Sequence, residues 1–425
     1  MKYEQMKSSL RMPEVMEPFT RLYGPKESGY AYQMTRYSKL VKLHEDIYRN
    51  DDSLCVVSAP GRSELIGNHT DHNAGRVLAA AIDLDTIACA ARRQDNVVRF
   101  VSEGYEPFEI TLSDLAVQPQ EDGTSAALIR GVAAKMKDLG YQIGGFDATA
   151  TSDVLRGSGM SSSAAFEVLI CAVFDQLYNG FSVDAITRAL IGQYAENTYF
   201  MKPSGLMDQM ASSVGGLVAI DFQNAEPEVL PIKYSFAESG YELVIVNTGG
   251  SHDDLTNEYA AIPKEMKAVA ACFDEDALRF VKYEQFLREL PMVRQMAGDR
   301  AALRALHFFG ENERVNSAVQ ALQNRNISDF LDAIRASGIS SWTLLQNVYL
   351  GAQHQPMALS LALADFLVGS SSASRIHGGG FAGTTLHFVP SDGVESFVKE
   401  MNRVFGENAC HVVAVRQEGA AVVLQ

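Results

Sequence analysis

The stretch APGRSELIGNHTDHNAG, residues 59–75, sets Arg62, Asn68, His69, Asp71, His72 and Asn73 within twelve positions. The segment before it, LCVVSAP (54–60), reads as a short buried strand closed by Pro60-Gly61. Short polar side chains that alternate donors and acceptors suit a polyhydroxy ligand such as a sugar. The set His69, Asp71 and His72 also contains metal-ligating residue types, but HTDH has no recognised ligand spacing and no cysteine cluster supports it. A polar turn with Asx bonding is the plain alternative, and the density of polar residues favours a site.

Outward from this stretch, the chain of 425 residues is 47% hydrophobic, enough for more than one core. Strand-like segments follow at TIACAARR (86–93), NVVRFVS (96–102) and GFDATATSDV (145–154), with a helix over 124–140. Helices are expected from Ser162 to Tyr178 and from Val183 to about Phe200. Residues 222–240 are loop-rich, which places a boundary between domains 1–225 and 226–425. Beyond lie strands at 241–247, 384–390 and 410–415, helices between 255 and 369, and a helix near 393–404. Strands and helices alternate without a regular βαβ repeat, so the class is α+β.

A net charge of −16 argues against nucleic acid, which needs a basic footprint, and against an anionic membrane surface. Cys55, Cys89, Cys171, Cys272 and Cys410 are scattered and form no CxxC pair, as for buried thiols in a reducing compartment. The first fifteen residues lack the apolar core of a signal peptide, and the apolar run PMALSLALADFLVG is too short to span a bilayer. A cytoplasmic location is expected.

A second motif, GSGMSSSAA (157–165), precedes the apolar segment FEVLICAVFDQLY. A helix start presents unpaired N–H groups and a positive dipole end, glycines admit close approach, and serines add hydroxyls. Phosphate binding is the sharp reading, and an ordinary serine-capped helix is the plain one. There is no Gly-Lys dipeptide for a Walker loop and no HRD triplet for a protein kinase. GGGFAG (378–383) has GxGxxG spacing but runs into the strand TTLHFVP, which excludes the dinucleotide-binding mechanism. A third motif, AENTYFMKPSGLMDQMASSVGG (195–216), breaks a helix at Pro203-Ser204-Gly205 and starts another with Asp208 in its first turn. Alone, Asp208 is a dipole-favourable helix-start residue.

In their order, APGR…LIG-x-H-T-D, GSG-M-SSSAA, G-L-M-D-Q and GGGFAG resemble the galactokinases of the GHMP small-molecule kinase family, from about Pro60 to the C-terminus. That resemblance implies an N-terminal ribosomal protein S5 domain 2-like domain, a C-terminal ferredoxin-like domain and an active site in the cleft between them. It implies phosphorylation of galactose at the anomeric hydroxyl with ATP and Mg²⁺, so the partners are a small sugar and ATP. Residue by residue, Arg62 matches an arginine that steadies the transferring phosphoryl group, and Asp208 the acid beside the anomeric hydroxyl. Asn68, His69, Asp71 and Tyr259 match sugar-binding positions. Gly157, Ser158, Gly159, Met160, Ser161, Ser162 and Ser163 match the loop around the ATP phosphates, and Ser163 and Glu196 the magnesium ligands. The usual GEHTDYN has Glu where Asn68 stands and Tyr where His72 stands. An anomeric kinase for a related sugar such as N-acetylgalactosamine, or a non-catalytic galactose- and ATP-sensing regulator, are the alternatives. The intact Arg62, Ser161–Ala165 and Asp208 disfavour the regulator.

Overall fold

The computed structural model describes residues 1–12, 15–24, 27–154, 159–202, 204–249, 255–348, 351, 353–381 and 383–425. The polar N-terminal region forms helices α1 (Tyr3–Ser9), α2 (Met16–Tyr23) and α3 (Glu27–Tyr48). The first sheet then begins with β1 (Cys55–Ile66), β2 (Arg76–Arg92), β3 (Val97–Ser102) and β4 (Phe108–Thr111). Helix α4 (Ser125–Asp138) leads to β5 (Phe146–Ser152), followed by α5 (Ser162–Asn179), α6 (Ala185–Thr198) and α7 (Met207–Val214). Strands β6 (Leu217–Asp221) and β7 (Glu228–Ile232) close this part.

The remaining chain supplies β8 (Tyr241–Asn247), α8 (Thr256–Ala271), α9 (Tyr283–Arg288), α10 (Leu290–Met296), α11 (Asp299–Gln323) and α12 (Ile327–Ser340). It ends with α13 (Pro356–Val368), β9 (Ala373–His377), β10 (Thr384–Pro390), α14 (Val394–Phe405), β11 (Cys410–Val413) and β12 (Ala421–Leu424). Among the described residues the first sheet runs β12-β1-β2-β5-β3-β4, with β6 on the free half of β2 and β7 beside β6. The second sheet runs β11-β8-β10-β9, antiparallel throughout. The fold is α+β, as expected. Strand β7 belongs to the first sheet although it lies beyond residue 225, and so does β12.

Side chains alternate across each strand, which fixes what each face buries. Val57, Ala88, Phe146 and Ala148 face α4, α5 and α6, whereas Val56, Ile87, Cys89 and Val423 face α1 to α3. In β8, Leu243 and Ile245 meet α11 and α12, while Val244 and Val246 meet α13 and α14. Leu65, Ile66 and Leu78 of the first sheet share the core with Ile245, Phe330 and Phe388 of the second part, so the apolar interior is continuous.

Two departures from the sequence-based expectation concern this first sheet. Strand β1 does not stop at Pro60-Gly61 but continues to Ile66, all of it buried. Its register against β2 shifts between Pro60 and Arg62, a bulge that accommodates the proline and redirects the chain. Strand β2 begins at Arg76, ten residues before the expected start, because its first half pairs with β6 and its second with β5.

A buried polar cluster fastens the N-terminal helices to the sheet. The Asp85 carboxylate accepts from Arg36 of α3 at 2.5 Å, Arg416 at 3.0 Å, Tyr23 of α2 at 2.7 Å and Ser58 of β1 at 2.5 Å. Burial alone raises its carboxyl, and the two guanidiniums outweigh this and hold it below the ordinary value. Asp85→Asn leaves Arg416 without its carboxylate and Arg36 with only Asp153, at 3.1 Å. It should cost about 3–5 kcal/mol in the free energy of unfolding measured with denaturant. A loss under about 1 kcal/mol would show that the cluster is not what fastens the helices.

Candidate active site

Arg62 leaves β1 just after the bulge and reaches α7, where it forms a two-pronged ion pair with Asp208. Nε to Oδ1 and Nη2 to Oδ2 are both 2.7 Å. Its Nη1 donates to the Gly159 carbonyl, and the Arg62 amide donates to the Met160 carbonyl at 3.1 Å. Gly159 has φ +70°, and a Cβ there would lie 2.9 Å from the Thr384 hydroxyl, so only glycine fits. Ser161, the residue before α5, has φ 57° and does not cap the helix; its hydroxyl donates to Asp208 instead. Among the described residues no side chain caps this helix start. The plain serine-cap reading therefore does not hold, and the positive end of the α5 dipole faces the Arg62–Asp208 pair. Gly157 and Ser158 lie outside the described residues, as does Pro203.

Asp208 is half-buried. Burial pushes its carboxyl up, but the Arg62 charge and hydrogen bonds, the Ser161 hydroxyl and Lys202 hold it below the ordinary value. Asp71, also half-buried, is pushed the other way, up to about 6, by burial and by the charges of Asp208 and Glu64. Asp71 approaches the turn before α7 so closely that a Cβ on Gly205 would sit 1.8 Å from its Oδ2. Two neighbouring carboxyl groups thus have opposite tendencies, which is how one site keeps both a permanent anion and a titratable acid.

His69 adopts φ 56° and its Nε2 lies 2.8 Å from the Gly379 carbonyl. A carbonyl only accepts, so Nε2 carries the proton, and burial keeps the ring neutral. Tyr259 of α8 donates to the Gly380 carbonyl at 2.7 Å and packs edge-on against Phe381. Asn68 is fully buried. Its Nδ2 donates to the Gly378 carbonyl at 2.7 Å and to Glu64 at 3.0 Å, and its Oδ1 accepts from Asn347 at 2.8 Å. Glu64 is paired in turn with Arg375 of β9 at 2.7 Å. Three successive carbonyls, Gly378 to Gly380, are therefore held by Asn68, His69 and Tyr259, and Asn347 adds a second donor to Gly379 at 3.0 Å. Helix α11 steadies the same loop, with Glu311 accepting from the Gly67 amide at 3.0 Å and Asn312 from the Arg76 amide at 2.7 Å.

Near the start of α5, Ser163 donates to Glu196 Oε1 at 3.1 Å. Glu196 also accepts from Lys202 at 2.8 Å, Ser204 at 2.5 Å and Gln209 at 2.8 Å, and Gln209 bridges to the buried Glu167 at 2.9 Å. Hydroxyl and carboxylate oxygens are the donors a magnesium ion takes, and Lys202 already lodges a positive charge against Glu196. Among the described residues no cluster of three or more His, Cys, Asp or Glu is placed to hold a metal ion. A cation here would share its coordination with phosphate oxygens and water.

The structure thus brings Arg62, Ser161 and Asp208 together, joins Ser163 to Glu196, and sets Asn68, His69 and Tyr259 on one glycine run. Glu64, Arg375, Asn347, Lys202 and Gln209 belong to these networks and were missed in the sequence. A glutamate in the apolar frame of β1 was the one available signal, because a buried charge needs a partner.

An uncapped helix start beside an arginine–aspartate pair, on an α+β fold with two sheets, goes with a match to the GHMP kinase class of small-molecule phosphotransferases. Residues 127–216 match the GHMP kinases N terminal domain, and residues 42–92 match the galactokinase galactose-binding signature. The galactokinase of Streptomyces coelicolor is 31% identical over 357 residues, covering 82% of this chain and 88% of that one. The galactokinase of Glaesserella parasuis is 32% identical over 363 residues, covering 81% and 87%. Among solved structures, Lactococcus lactis galactokinase complexed with galactose superposes with a TM-score of 0.77 at 26% identity, over 89% of this chain and 98% of that one. Methanococcus jannaschii mevalonate kinase shares the fold, with a TM-score of 0.61 at 14% identity over 85% and 98%. The chain belongs to the galactokinase family.

Asn68→Glu tests the buried network. Glutamate cannot donate to the Gly378 carbonyl or to Glu64, and each orphaned acceptor costs about 1–3 kcal/mol. The variant should unfold at a clearly lower temperature. An unchanged melting temperature in the single variant would refute this role for Asn68.

Proposed function

We infer that the protein transfers the γ-phosphoryl group of ATP to the anomeric hydroxyl of galactose, giving galactose 1-phosphate and ADP. The observation that carries this reading is the Arg62–Asp208–Ser161 cluster at the uncapped start of α5, beside the loop of Asn68, His69 and Asp71. The hydroxyl oxygen forms the new P–O bond as the bond to the β-phosphate breaks and ADP leaves. Such transfer depends mainly on positioning and charge neutralisation.

In this reading the α5 N-terminus and the described part of its loop, Gly159 to Ser163, hold the ATP phosphates. Ser163 and Glu196 would hold Mg²⁺, which when bound neutralises phosphate charge. Arg62 turns from Asp208 towards the transferring group. His69, Asp71 and Tyr259 take the sugar hydroxyls, with Asn68 behind them fixing the glycine run. A carboxylate clamped by Arg62 is a poor base, so Asp208 accepts the hydroxyl proton late, once Arg62 charge has shifted to the phosphoryl group. Among the described residues no helix is long and apolar enough to cross a membrane.

ADP release measured across galactose, N-acetylgalactosamine, glucose and 6-deoxygalactose tests the substrate. Galactose should have the highest specificity constant, and a clear win for another sugar would remove galactose from this proposal. Asp208→Asn should lower kcat by about 10²–10⁴-fold, with sugar and ATP binding retained by calorimetry. Near-parental turnover would reduce Asp208 to a helix-start residue.

Burial and the charges of Asp208 and Glu64 push the Asp71 carboxyl up to about 6. Its ionised form accepts two hydroxyl hydrogen bonds and its protonated form fewer, so sugar binding should weaken as pH falls through about 6. The apparent KM for galactose should rise below that pH while the KM for ATP stays level. Asp71→Asn should flatten the profile. A galactose KM that is constant down to pH 5 would show that no sugar-binding carboxyl titrates in that range.

A further inference from the structure

Behind the glycine run lies a cavity of about 360 Å³ lined by Glu258, Arg300, Arg304, Trp342, Gln346 and Phe381, among others. Its size falls in the range of about 300–1,000 Å³ seen for small-molecule sites. None of Arg62, His69, Asp71 or Asp208 lines it. Trp342 sits in a widened helical turn, Ser341–Leu345, which ends at Gln346 with φ 61°. Such turns recur at functional sites.

Two guanidiniums and two carboxylates, Glu265 and Glu258, stand around the cavity. Arg300 and Arg304 share one carboxylate, Glu265, at 3.0 and 2.9 Å. Arg304 is only 1% exposed; its Nε is spent on the Leu345 carbonyl, and its Nη2 has no hydrogen-bond partner among the described residues. Burial lowers its pKa from the ordinary arginine value, a sign that its charge is incompletely compensated. Glu258 stands on the same cavity, so a bare anion meets repulsion as well as attraction. A neutral sugar could accept from the Arg304 donor but would bring no counter-charge to it.

We propose that the cavity is a second small-molecule site, separate from the phosphoryl-transfer site, and that it takes a monosaccharide phosphate. The phosphate pairs with Arg304 and Arg300, which suit it as planar forked donors. Hydroxyls meet Glu258 and Gln346, and the apolar face of the sugar ring lies on Trp342. Phe381 is shared between the cavity and the sugar side. Its ring packs on Tyr259 at 5.5 Å, and Tyr259 holds Gly380. An occupant therefore presses on the same glycine run that Asn68 and His69 hold. The binding claim stands on the cavity alone and does not depend on which sugar is phosphorylated.

Trp342 is the only tryptophan in the chain, so its emission reports this cavity directly. With galactose and a non-hydrolysable ATP analogue present at saturation, galactose 1-phosphate should change Trp342 emission saturably. Arg300→Gln should weaken that response about tenfold, the cost of one charge-assisted hydrogen bond. Inorganic phosphate alone should bind far more weakly in the parent, and Glu258→Gln should improve its binding. The proposal is overturned by an unchanged emission, by a response that saturating galactose abolishes, or by parental titrations in both variants. Inorganic phosphate binding as tightly as the sugar phosphate would remove the sugar from the assignment. Because the titration involves no turnover, a failure of galactose phosphorylation would leave its outcome readable.

Discussion

Strand β1 must bury two opposite charges two residues apart on one face, and the rest of the structure is arranged around that demand. Arg62 finds Asp208 on α7, and Glu64 finds Arg375 on β9. One partner comes from each half of the chain. Removing charge from water costs more than a single ion pair usually returns, so these contacts do little for stability as such. Their effect is on arrangement: either half misplaced leaves a buried charge alone, at a cost of several kcal/mol (about 3–5). Both halves are thereby registered to the strand that leads into the His69–Asp71 loop.

The same strand sets the electrostatics of the site. Asp208 lies in a field of guanidinium, ammonium and hydroxyl donors, whereas Asp71 sees burial and two other carboxylates. One backbone excursion, from the bulge at Pro60–Arg62 to the turn at Asp71–Asn73, separates the two environments. The helix start at Ser162 adds a fixed positive end that no serine side chain spends on capping.

The sequence made the chemistry more legible than the topology. Polar residues of restricted type at 59–75 and 157–165 stand out because apolar segments flank them, and among the described ones Arg62 and Ser161 meet at Asp208 while Asn68 and His69 meet the glycine run. Helices α5 and α6 and strands β8 and β10 follow their periodicity closely. The run RVLAAAIDLD was passed over because it is buried on both faces and shows no period of two. β7 was hidden in a polar segment with two prolines, where pairing with β6 outweighs local preference. The role of Asn68 was not legible at all. Its partners Gly378 and Asn347 lie about 300 residues away in sequence, and only the folded chain brings them to it.

Strand β12 adds a further constraint, on the order of events. Val422 and Leu424 pair with Val57 and Val56, so the first sheet takes its edge from the far end of the sequence. Loop closure over more than 360 residues is slow to reward, and pairings of high sequence separation come late. During synthesis, the backbone groups of Val56 to Ser58 remain an open sheet edge until residue 421 has emerged from the ribosome. An open edge recruits other strands. The α1–α3 layer covers the face of this sheet but not that edge, so the newly made chain is most vulnerable to aggregation just before its last strand arrives.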